Sequence, residues 1–168
     1  MTRSEVCGKL AAVYAAKNKD YGNSAHQTYL EFGEVALVIR ISDKFSRLQS
    51  LLESGEQNVK DESIFDTMGD AITYLAMLIA EIECDIEDAP EGENIETVRS
   101  TLEDLGLCDV AIDSKVEDGQ YYREWLIEIY KGVLDARDRA DEYYHLADTL
   151  LDQYILMMEE KDDGISNS

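Results

Sequence analysis

Two pairs of carboxylates carry the clearest chemical suggestion in this 168-residue sequence. Glu31 and Glu34 are three positions apart and Asp66 and Asp70 four, spacings that set each pair on one face of a helix. On a wheel of about 100° per residue, a helix over roughly residues 27–52 buries Val38, Ile41, Phe45, Leu48 and Leu52. Glu31 and Glu34 fall on that same stripe, while Arg40, Asp43, Lys44 and Arg47 fall on the opposite, solvent side. Carboxylates on a packing face are costly unless a cation or a metal compensates them. On the next helix, about residues 62–84, Glu62, Asp66 and Asp70 recur at i, i+4 and i+8. Should the two helices be neighbours, Glu31, Glu34, Asp66 and Asp70 would form an all-oxygen site suited to Mg²⁺ or Mn²⁺. Such ions bridge phosphoryl oxygens and activate water, with Glu34 and Asp70 as the catalytic acids. A purely structural account stands beside this one. Acids in a first turn complement the helix dipole or cap it, which suits Asp61 and Glu62 well and Asp70, two turns in, poorly.

The elements that must position these residues read as helices throughout. Pro90 is the sole proline, and Ala, Leu, Ile, Glu and Asp dominate, with no run of strand-like alternation. The first helix is expected from after Ser4 to about Lys17, with Val6, Leu10, Val13 and Tyr14 on one stripe, ended by Gly22 and Asn23. "AITYLAMLIA", residues 71–80, has no charge and marks the third helix as central and covered on most sides. The expected organisation is an all-α bundle built on a long central helix pair. Residues 1–85 form the core, 86–118 an acidic linker with a short helix near 95–105, and 119–162 a helical hairpin packed on the core. Residues 106–119 carry no clear pattern. The hairpin stripes are Tyr122, Trp125, Ile129 and Val133, then Tyr144, Leu151, Ile155 and Met158. Its aromatics, Trp125 with Tyr121, Tyr122, Tyr143 and Tyr144, are too many to point inward together, which suggests a homodimer surface. The tail after residue 160 is expected to fray.

Composition bounds the partners. Net charge is −22, but residues 1–60 balance at +1 and residues 61–168 at −23. Residues 81–118 hold 14 acids against Arg99 and Lys115. Glu81, Glu83, Asp85, Glu87, Asp88, Glu91 and Glu93 would then present an acidic surface that does not bind nucleic acid directly, and that either confers solubility or faces a basic protein. No apolar run reaches the length of a membrane span, and the first residues are charged, unlike a secretory signal, so a cytoplasmic location is expected. Cys7, Cys84 and Cys108 are widely spaced and read as core thiols. His26 and His145 are isolated in sequence, and His145 with Asp148 and Asp152 reads as a solvated flank. Phosphate-loop and dinucleotide-fold glycine motifs are missing, as is a His-Asp doublet.

"KNKDYGNS", "EFGEVALVIRISDKFSRL" and "DESIFDTMGDAITYLAML" together resemble phage proteins of the nucleotide-modification-associated domain 1 family. More distantly they are similar to the MazG-like all-α nucleoside triphosphate pyrophosphatases, over about residues 17–81. The resemblance implies that the pair Glu31 and Glu34 and a second pair ending in Asp70 hold Mg²⁺ for cleavage between α- and β-phosphates. Thr67 stands where the MazG-like pattern has a glutamate, so Asp66 or Glu62 would substitute. The phage family's recurrent residues map to Asp20, Tyr21, Gly22, Lys44, Arg47, Asp66 and Asp70. Lys17, Lys19, Asp20, Tyr21, Asn23, Lys44 and Arg47 then become the expected nucleotide contacts. In a phage setting the location would be the host cytoplasm. Three functions follow as expectations: Mg²⁺-dependent pyrophosphohydrolysis, nucleotide sequestration without cleavage, and an acidic DNA mimic that blocks a host nuclease of the restriction or CRISPR type.

Overall fold

The computed structural model describes residues 1–54, 63–108 and 118–166. Among them are seven helices and no strand: α1 (Arg3–Tyr21), α2 (Ser24–Phe32), α3 (Glu34–Ser54), α4 (Ile64–Glu87), α5 (Glu93–Leu107), α6 (Gly119–Lys131) and α7 (Ala136–Ser166). The all-α expectation is met. Glu62, Asp61 and residues 109–117 of the unpatterned stretch lie outside the described residues.

Local sequence sets the helix ends. Thr2 and Glu5 form a capping box at the start of α1, and Ser63 and Asp66 form another at α4, each satisfying backbone N–H groups that the first turn leaves over. Gly22, left-handed at φ 61°, closes α1 only after Tyr21, so Lys17, Lys19, Asp20 and Tyr21 belong to the helix rather than to a loop. The helix expected over 27–52 is two helices. Gly33, at φ 79° and ψ −165°, takes a conformation open almost only to glycine and breaks the chain between Phe32 and Glu34. A wheel drawn through that break misplaces Glu31, whereas beyond it Val38, Ile41, Phe45 and Leu48 are buried as expected. Glu31 is exposed on α2, and Arg40, Lys44 and Arg47 are half-buried against α4 on the side expected to be wet.

α4 is the central helix, with Ala71, Ile72, Leu75, Ala76, Leu78, Ile79 and Ala80 at or below 1% exposure. α3 and α7 run along it, α5 packs between it and α1, and α6 covers α3. Gly119 lets α6 approach α3 closely: a Cβ there would stand 2.1 Å from the Phe45 carbonyl oxygen. Residues of all seven elements except the α2 polar face join one apolar cluster, in which each buried leucine or isoleucine is worth about 2–5 kcal/mol against truncation to alanine. Tyr122 and Tyr143 are fully buried within it, leaving Tyr121 exposed and Trp125 half-buried beside the His145 ring at 5.2 Å. Asp148 and Asp152 are not a solvated flank. Both are buried against the Arg3 guanidinium, which also donates to the Leu105 carbonyl at 3.1 Å and so ties α1 to α5 and α7. Cys7 is buried and all three thiols are free. No helix among the described residues is long and apolar enough to cross a membrane.

Candidate functional site

A cavity of about 370 Å³ opens where the C-terminal half of α1 meets α3, α4 and the start of α2. Its size is that of an ordinary small-molecule site. Its lining is apolar at Leu10, Val13, Tyr14, Ala25 and Met77 and polar at Lys17, Asn18, Tyr21, Ser24 and Thr73. Arg40, Asp70 and Tyr74 complete it.

The helical repeat explains the convergence. On α1, Lys17, Asn18 and Tyr21 stand three, four and seven residues after Tyr14 and therefore share one face. On α4, Asp70, Thr73, Tyr74 and Met77 do the same. On α3, Arg40, Lys44 and Arg47 form a cationic stripe turned towards α4. Arg40 lies over the Tyr74 ring at 5.9 Å from its centre. Lys44 Nζ donates to Asp70 Oδ2 at 3.0 Å, and Arg47 Nε donates to Thr67 Oγ1 at 3.2 Å. Lys17 Nζ reaches Asp70 Oδ1 at 3.5 Å. One carboxylate thus faces Lys17, Lys44 and the neighbouring Arg40, a local cationic excess inside a chain whose total is −22. The Lys17 side chain is 58% exposed, so its pair with Asp70 is worth no more than about 1 kcal/mol and is readily exchanged for another anion. Tyr14, in the lining, has its phenol pushed up to about 12 by burial and, secondly, by the charge of Glu81, so it stays protonated.

The four carboxylates expected to share a metal stand in separate surroundings. Glu31 is exposed on α2. Glu34 accepts from Arg139 Nε at 3.1 Å to each oxygen and from the Tyr143 hydroxyl at 2.6 Å, so α7 supplies the compensation that a packing-face acid requires. Asp66 caps its own helix, accepting from Ser63 N at 2.8 Å. Asp70 alone reaches the cavity, held by lysines. Among the described residues no group of three or more His, Cys, Asp or Glu side chains is placed to hold a metal ion. Glu31, Glu34, Asp66 and Asp70 thus do not converge on one point in this arrangement.

Of the other expected contacts, Lys17 and Tyr21 line the cavity and Lys44 bonds the lining Asp70, whereas Arg47 bonds Thr67, which does not line it. Lys19 and Asp20 are exposed on α1 and do not line it, while Asn23 pairs with Asn94 of α5. Within the expected acidic surface, Glu83, Asp85, Glu87, Asp88, Glu91 and Glu93 are exposed, but Glu81 is not. It is 4% exposed and meets His26 Nδ1 at 2.8 and 2.9 Å and Asn94 Nδ2 at 3.3 Å, with its carboxyl pushed up by burial against the opposing pull of His26. Sequence reasoning missed Arg40, Tyr74 and the His26–Glu81 pair. The first two carry a signal, since Arg40 stands one turn before Lys44 and Tyr74 one turn after Asp70. The pair spans 55 positions and leaves no local trace.

No protein-family model, curated protein or solved structure matches this chain.

Proposed function

We propose that the cavity between α1, α3 and α4 binds a nucleotide. The observation that carries this reading is the cationic excess of Lys17, Arg40 and Lys44 around Asp70, beside an apolar wall and two tyrosine rings, in a protein otherwise strongly acidic. Phosphate suits the cations, which are few and concentrated where a ligand has room. A base suits Tyr21 and Tyr74 as stacking faces, and Arg40 over Tyr74 prepares a flat cationic platform. Asp70, neutralised by its lysines, offers an acceptor to a base amine or a sugar hydroxyl. With Glu34 engaged by Arg139 and Tyr143, sequestration is the better supported form of the reading, and any Mg²⁺ would arrive with the nucleotide phosphates. Titration calorimetry with each dNTP, with and without Mg²⁺, tests it, followed by chromatography of the recovered nucleotide to separate binding from cleavage. Binding by the native chain that is lost in Lys17→Ala and Arg40→Ala supports the proposal, and no heat with any dNTP rejects it.

A second reading has its own observation. Glu83 on α4 is pushed up by partial burial and then by Glu87, Asp104 and Asp141, with Arg137 as the opposing cation, so acids from three helices crowd one surface. A rigid helical scaffold carrying such charge suits competition for a cationic nucleic-acid channel. Salt-dependent binding to a basic nuclease, weakened by Glu83→Gln with Glu87→Gln, would support it, and binding unchanged by those substitutions would count against it.

A further inference from the structure

Helix α2 is joined to the rest of the molecule unlike any of its neighbours. It has nine residues, fewer than the roughly 12–15 that sustain a helix alone. It enters through two consecutive left-handed residues, Gly22 at φ 61° and Asn23 at φ 59°, and leaves through Gly33 at φ 79°. Asn23 makes no side-chain capping bond to it, and a Cβ at Gly22 or Gly33 would meet nothing within 4 Å, so no packed atom crowds either glycine. Tyr29 is its one buried residue, whereas Leu30 and Phe32 are 58% and 67% exposed.

Apart from the packing of Tyr29 and Ala25 on the core, what ties α2 to α4 and α5 is polar. His26 Nδ1 bonds both Glu81 oxygens, the Tyr29 hydroxyl donates to Asp85 Oδ2 at 2.8 Å, and Asn23 and Asn94 exchange carboxamide contacts at 3.3 and 3.5 Å. Polar ties of this kind have a low net worth because water replaces them on opening. For Glu81 the balance is closer still. Its burial is unfavourable and only the His26 and Asn94 contacts offset it, so lifting α2 returns the carboxylate to water. The placement of α2 gives such a motion a consequence. Ser24 and Ala25 border the nucleotide cavity, while His26 and Leu30 border a second cavity of about 390 Å³ on the other side.

We infer that α2 is a lid over the cavity, hinged at Gly22–Asn23 and at Gly33 and latched by His26 on Glu81. The latch itself is independent of what the cavity holds; that its cargo is a nucleotide rests on the function proposed above. Hydrogen exchange on the full chain tests the latch directly. In the native protein, amides of α2 should exchange faster than those of the α4 centre. In His26→Ala the α2 amides should accelerate by about tenfold, the worth of one bond to a charged group, with α3 and α4 unchanged. Asn94→Ala should act in the same sense and His145→Ala, at an exposed ring elsewhere, should not. Equal acceleration of α2 and α4, or no change in α2, would overturn the lid. Stopped-flow mixing with a fluorescent mant-dATP then reads the coupling, with faster association and faster release expected in His26→Ala. Unchanged rates would overturn the lid's control of the cavity. If the native protein binds no mant-dATP or dNTP while the exchange pattern holds, the nucleotide reading fails and the latch stands.

Discussion

Replacing Glu34 by alanine should cost stability and leave the cavity's ligand binding in place. The Glu34 side chain is 14% exposed and accepts from both Arg139 Nε and the Tyr143 hydroxyl, with Arg139 Nη2 a further 3.1 Å from Oε2. Removing it strands the Tyr143 hydroxyl in a fully buried residue, a loss of about 1–3 kcal/mol. Arg139 loses its carboxylate too, but its side chain is 24% exposed and keeps the Leu134 carbonyl at 2.7 Å. Its share is therefore well below the about 3–5 kcal/mol of a fully buried broken pair. The sum is about 2–4 kcal/mol, and a cycle with Arg139→Ala should show about 1 kcal/mol or more of coupling. Urea denaturation of the single and double variants measures both. A change within about 0.5 kcal/mol, accompanied by loss of nucleotide binding, would refute the reasoning and make Glu34 a ligand-contacting acid.

Gly119→Ala should destabilise by about 3 kcal/mol or prevent folding, because its Cβ meets the Phe45 carbonyl oxygen and the Gln49 nitrogen, 2.1 and 2.5 Å away, and both are backbone atoms; thermal melting checks it. The share of stability that rests on Glu81 and Asp152 should fall as pH rises above the ordinary carboxylate range. The Glu81 carboxyl is raised by burial, and that of Asp152 by burial and by the charge of Asp148 against the opposing pull of Arg3, so the folded state holds more protons than the unfolded one above their ordinary values. A melting temperature lower at pH 5.5 than at pH 8 would contradict this. The Cys7 thiol, pushed up to about 11 by burial, should resist a disulfide reagent at pH 8 in the folded chain and react on unfolding, as a spectrophotometric thiol count would show.

The helical class was legible because nothing in the sequence competes with it, and α4 was legible as the central helix because residues 71–80 carry no charge. The site was legible in part. Lys17 and Tyr21 share one face of α1, since i, i+4 spacing survives any packing arrangement, whereas the meeting of Lys17 and Lys44 with Asp70 is set by which helix faces pack. Glu31 and Glu34 part company for one local reason: Gly33 adopts a backbone conformation that a wheel cannot anticipate, and it turns the two acids towards different surroundings. The compensation of Glu34 comes from Arg139 and Tyr143, 105 and 109 positions away, and that of Asp148 and Asp152 from Arg3. Pairings between distant helices depend on which faces meet, and periodicity alone does not fix them. The expected wet face of α3 failed for the same reason, its cations facing α4 rather than solvent.

Calorimetric titration of the native chain with the four dNTPs, beside Lys17→Ala, Arg40→Ala and Glu34→Ala, tests the central claim most directly. The account predicts saturable binding by the native chain, loss of tenfold or more in affinity in each cation variant, as expected for a charge-assisted phosphate contact, and retention in folded Glu34→Ala. Equal affinity in the native chain and both cation variants, or no binding at all, would contradict it.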